Sequence, residues 1–72
     1  MLYLYPMNIM KSWLRRHTKE ENQAFADKID TSLMYLEQIG MGIRTPSPKM
    51  AEKLAEASDN ELDKMGLLFP NG

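Results

Sequence analysis

The chain contains no cysteine and a single histidine. No disulfide can staple it and no thiolate can hold a metal; His17 alone cannot complete a zinc site. Glycine is sparse, four in 72 residues, and nowhere forms a phosphate-cradling loop. The most apolar stretch, Met1 to Met10, is far shorter than the roughly 18–20 residues of a membrane span, and Pro6 interrupts it. It also lacks the basic flank and small-residue cleavage site of a secretory signal. The acidic pairs Glu20–Glu21 and Glu52/Glu56 have no nucleophile or desolvating pocket beside them, so they read as helix-surface charge. Together these absences argue against an enzyme, a cofactor, a small-molecule substrate and a membrane location. Freedom from cysteine suits a reducing cytoplasm, the expected compartment.

What is present is a single short domain with a modest core. Charge is nearly balanced, nine Lys/Arg against ten Asp/Glu, but not evenly spread. Residues 1–49 carry seven basic and five acidic side chains; residues 50–72 carry two basic and five acidic ones. A polyanion would meet the first part and not the second.

Hydrophobic spacing predicts an all-α chain of four or five short helices. Asn8 is a good N-cap for a first helix with Ile9, Trp13 and Leu14 on one face. Its last turn holds Arg15, Arg16 and His17, which suit the helix dipole. Thr18-Lys19-Glu20-Glu21 has the form of a capping box opening a second helix that runs to about Ile29 and buries Phe25, Ala26 and Ile29. Asp30-Thr31 breaks the chain, and Asp tolerates the left-handed backbone a tight turn needs. Thr31 or Ser32 then caps a third helix, with Leu36 and Ile39 inward and Gly40 and Gly42 at its end. Ser47-Pro48 is a strong start for a fourth helix that presents Met50, Ala51, Leu54 and Ala57 to the core. A last helix is expected from about Asn60 to Met65, capped by Asp59 and closed by Gly66. Leu67, Leu68 and Phe69 then form a tail folding back onto the domain. Residues 1–7 read as an extension or a short strand over Leu2–Tyr5.

Residues 22–42 are the informative part, with a helix-turn-helix at about 22–39. Two short helices meet across a turn of a few residues, with small Ala26 where they would cross and Leu36 and Ile39 anchoring the second. That is the packing problem a helix-turn-helix must solve, and it leaves the outer face of the second helix free to enter a major groove.

Gln23 ahead of Phe25-Ala26-Asp27-Lys28-Ile29, Thr31-Ser32 before Tyr35-Leu36 and Gln38-Ile39, and Arg44-x-Pro46-Ser47 leading into an apolar helix resemble the Cro and repressor helix-turn-helix proteins of phages and prophages, the lambda-repressor-like family. The likeness is strong over residues 22–57 and looser over 9–69. Asp30 stands where that family usually places glycine. The resemblance implies a lambda-repressor-like fold and a cytoplasmic Cro-like transcriptional regulator that represses by occupying a double-stranded DNA operator, as a homodimer on a two-fold site, without a cofactor.

Helical phase then assigns the contacts. With Leu36 and Ile39 inward, Ser32, Met34, Glu37 and Gln38 lie on or beside the outward face and Leu33 at its boundary. Ser32 and Gln38 can bond base edges, Gln38 most naturally an adenine; Leu33 or Met34 can touch a thymine methyl, and Glu37 can accept from cytosine. Asn22 and Gln23 at the start of the second helix are expected on phosphate, with Lys28, Arg44, Lys49, Arg15 and Arg16 as further phosphate contacts. The rival reading is a helix-turn-helix-derived, antitoxin-like or partner-binding module without specific DNA binding. Near-neutral charge and Met34 and Met41 favour that reading, because methionine surfaces adapt to protein partners. Leu2–Tyr5 and Leu67–Phe69 are weighed as a dimer contact against simple coverage of the chain's own core.

Overall fold

The computed structural model describes residues 8–69, over which the chain is all-helical with no strand. Its five helices are α1 (Ile9–Arg15), α2 (Lys19–Lys28), α3 (Leu33–Gly40), α4 (Pro48–Ala57) and α5 (Lys64–Leu68). None is long and apolar enough to cross a membrane. Residues 1–7, including the strand and the N-terminal dimer contact expected at Leu2–Tyr5, lie outside the described residues.

Each helix starts on the cap its sequence provides. Asn8, Thr18, Ser32, Ser47 and Asp63 each accept a bond from a backbone N–H in the first turn. At α2 the capping box is complete: the Glu21 backbone donates to the Thr18 hydroxyl at 3.1 Å, and the Thr18 backbone donates to the Glu21 carboxylate at 2.8 Å. Such caps contribute about 1 kcal/mol each.

Three helices end alike. After α2 the Thr31 N–H reaches the Ala26 carbonyl and the Asp30 N–H the Asp27 carbonyl. After α3 Ile43 reaches Gln38 and Gly42 reaches Ile39; after α4 Asn60 reaches Ala55 and Asp59 reaches Glu56. This paired closure requires left-handed backbone at the first residue past the cap. Asp30, Gly42 and Asp59 supply it, at φ 60°, 79° and 55°. The two aspartates therefore do what glycine usually does, as the short polar side chain permits.

The core joins Met10 and Trp13 of α1, Phe25, Ala26 and Ile29 from α2 and its end, Leu36 and Ile39 of α3, Ala51 and Leu54 of α4, Leu62, and Leu67 of α5. Of the positions expected to face inward, Trp13, Phe25, Ala26, Ile29, Leu36, Ile39, Ala51 and Leu54 are buried in it, while Ile9, Leu14, Met50 and Ala57 pack against it partly buried. The α1–α3 contact is close because Gly40 has no side chain: a Cβ there would lie 3.3 Å from the Lys11 Cα. Asn8 fastens the same contact, since its Nδ2 donates to the Ile39 carbonyl at 2.9 Å while its Oδ1 caps α1.

The end of the chain departs from expectation. Asp59 and Asn60 are both left-handed, so no helix runs from residue 60. Ser58, buried, ties the turn: its hydroxyl donates to the Leu54 carbonyl at 2.7 Å and accepts from the Leu62 N–H at 2.9 Å, setting Leu62 in the core. Asp63, not Asp59, caps the last helix. Leu67 and Leu68 belong to that helix, Leu67 buried and Phe69 exposed, so the expected tail is a helix packed on the start of α1, with Ile9 against Gly66.

Candidate nucleic-acid interface

The turn after α2 points α3 so that Leu36, Ile39 and Gly40 face the core. The opposite face is open to solvent. Met34 is 66% exposed, and Glu37 is also exposed; beyond the helix Met41 and Ile43 continue the exposed surface at 61% and 64%. Leu33 and Tyr35 are half-buried along the edges; Gln38, on the side away from the core, is also half-buried. Ser32 is exposed, and its hydroxyl accepts from the Tyr35 N–H at 3.1 Å while keeping its own proton to donate. All five residues expected at base edges therefore reach the surface at or beside one helix face.

Gln38 and Arg44 are held together, although spacing alone assigns them separate roles. The Arg44 Nε donates to the Gln38 Oε1 at 2.6 Å, and the Arg44 N–H reaches the Gln38 backbone carbonyl at 3.3 Å. The guanidinium carbon lies 5.8 Å from the centre of the Tyr35 ring, within cation–π range. The chain turns back at Gly42, and buried Pro46 anchors the connector that carries Arg44. Arg44 thus lies beside α3 instead of on a separate phosphate-facing loop.

The phosphate assignments fare unevenly. Asn22 is a correction: it is 7% exposed, and its Nδ2 donates to the Leu14 carbonyl at 2.9 Å, closing the end of α1. It faces inward because the fourth helical residue of α2 lies on the Phe25–Ala26 side, next to the α1 terminus. Gln23 is exposed but donates to Asp27 at 3.1 Å. The first turn of α2 also carries Glu20 and Glu21, which oppose an anion there. Arg16 is exposed and pairs with Glu61 at 3.8 Å. Lys28 is exposed and lines an open hollow together with Lys53, Asp30 and Glu56. Arg15 and Lys49 are exposed at the end of α1 and the first turn of α4.

Lys11 was not singled out by spacing. It is exposed, and its backbone abuts Gly40, which sets a further cation at the C-terminal end of α3. Only the α1–α3 packing reveals it. His17 closes α1: its Nδ1 lies 2.7 Å from the Trp13 carbonyl and its ring 4.1 Å from the Trp13 ring, which also packs on Phe25.

No family model matches the chain, and no curated protein or solved structure does either.

Proposed function

We propose that this chain is a cytoplasmic, sequence-specific DNA-binding regulator of the lambda-repressor-like helix-turn-helix type, with α2 and α3 as the paired helices and α3 as the recognition helix. The observation that carries this reading is the α2–α3 junction. Asp30 closes α2 in the left-handed conformation, Ala26 is fully buried, and α3 turns Leu36 and Ile39 inward while Ser32, Met34 and Glu37 stay open with Gln38 and Arg44 beside them. A short helix held this way enters a major groove N-terminus first. Leu33 and Met34 offer apolar contact for thymine methyls, and Ser32 and Gln38 offer hydrogen bonds. Lys49, Arg15, Lys11 and Lys28 supply phosphate contacts, joined by Arg16 when Glu61 releases it.

The regulator works as a homodimer on a two-fold operator, since one module of this size makes few contacts alone. It acts as a prophage-type repressor by covering the site that polymerase needs. Selection of random duplex DNA on the purified protein tests the reading. An enriched palindrome with half-sites about one helical turn apart is the expected result, with affinity falling steeply as salt rises.

One observation favours a second reading, a partner-binding module that keeps this fold. Met34, Met41 and Ile43 are all more than half exposed on and just beyond α3, which itself carries Glu37 and no cation. A protein partner would dock there with weak salt dependence and no enriched sequence.

A further inference from the structure

Resting on the DNA-binding reading, we infer that Gln38 and Arg44 act as one unit that reads guanine, not adenine. A glutamine reads adenine by using both ends of its amide: the oxygen accepts from N6 and the nitrogen donates to N7. Here the oxygen is already occupied. The Arg44 Nε donates to the Gln38 Oε1 at 2.6 Å, a short bond strengthened by the charge of its donor. The oxygen has a second lone pair, but a guanidinium beside it repels any further donor's hydrogen. Arg44 is also held by its own N–H on the Gln38 carbonyl and by its guanidinium near the Tyr35 ring.

What remains to meet a base is donors only: the Gln38 Nε2 hydrogens and the terminal nitrogens of Arg44. In the major groove adenine and cytosine each present an amino hydrogen, which such an edge repels. Thymine presents one acceptor beside a methyl group. Guanine presents two adjacent acceptors, O6 and N7, and alone matches the whole edge. Phosphate oxygens share this acceptor chemistry. Gln38, however, is one turn from Met34 on the side of α3 away from the core, the side that would face the groove floor.

The test is duplex selection with the wild type, Gln38→Ala and Arg44→Ala, followed by affinity measurement on the selected site carrying 7-deazaguanine, which removes N7 but keeps base pairing. Helical circular dichroism and the melting temperature check that each variant stays folded. The wild type is expected to select guanine at one position per half-site. Both variants lose the preference at that same position, binding the guanine site roughly ten- to a hundredfold more weakly. 7-Deazaguanine weakens the wild type similarly and leaves the variants unchanged. Uniform weakening across all sequences places the pair on phosphate and overturns the inference. So does relaxation at an adenine, or at different positions for the two variants; each leaves the DNA-binding reading standing. Enrichment of no sequence at all overturns both.

Discussion

Asn8 bonds to two helices at once, and substitutions can separate the two effects. Its Oδ1 caps α1, and its Nδ2 reaches the Ile39 carbonyl across the α1–α3 contact. Serine caps a helix about as well as asparagine but is too short to make the second bond. Asn8→Ser therefore isolates the tie between helices, while Asn8→Ala removes both. The Ile39 carbonyl still accepts from the Gly42 N–H at 3.1 Å, so losing the tie leaves no orphaned acceptor. Its loss is then an ordinary net hydrogen bond, about 1 kcal/mol. The cap adds about 1 kcal/mol, so Asn8→Ala is expected to cost about 2 kcal/mol. A domain of this length has only about 4–10 kcal/mol in all. Urea unfolding followed by fluorescence of Trp13, the single tryptophan, measures both. With a slope near 1 kcal/mol per molar, the midpoint falls by about 1 M for Asn8→Ser and about 2 M for Asn8→Ala. Asn8→Ser matching the wild type, with Asn8→Ala about 1 kcal/mol below both, would refute the claim that Asn8 holds α3 to α1.

Leu36, fully buried, should lose about 2–5 kcal/mol on truncation to alanine, leaving the protein partly unfolded at 25 °C by circular dichroism. Gly40→Leu forces a side chain against the α1 backbone and should cost more than a helix-favouring residue returns; a variant melting at or above the wild type would contradict the close approach. Asp30→Ala should cost about 1–2 kcal/mol at its left-handed position and Asp30→Gly clearly less, read as the gap between the two urea midpoints. Ser58→Ala leaves the Leu62 N–H without its partner and should cost about 1–3 kcal/mol, with faster amide exchange at Leu62 as the local signature.

Local chemistry made much of this fold legible. The caps at Asn8, Thr18, Ser32 and Ser47 are short-range signals, and so is the phase that turns Leu36 and Ile39 inward. Met10 escaped because a count that starts from Ile9 favours Trp13, although Met10 lies three residues before Trp13 and shares its face. Spacing alone sets the last helix one turn too early, because Asp59 and Asp63 are both plausible caps four residues apart. Buried Ser58 decides between them, and its partners at Leu54 and Leu62 are set by tertiary packing. On the candidate surface, phase located Met34, Glu37 and Gln38 correctly on or beside the open face. It could not show that Asn22 answers the end of a neighbouring helix. Nor could it show that Arg44, six residues on, folds back to take the oxygen of Gln38. Such contacts between turns carry no periodic signal.

Among the described residues, methionines differ widely in exposure, and the difference governs how each meets oxidants. Met10 is fully enclosed, whereas Met34, Met41 and Met65 are each about 60% exposed or more. A peroxide reaches the thioethers of Met34 and Met41 without any unfolding, and sulfoxide formation replaces a soft apolar contact with a polar, chiral one. The face of α3 is thus chemically editable while the core that orients it stays intact. Mild oxidation would change the polarity of this surface before it altered the melting temperature.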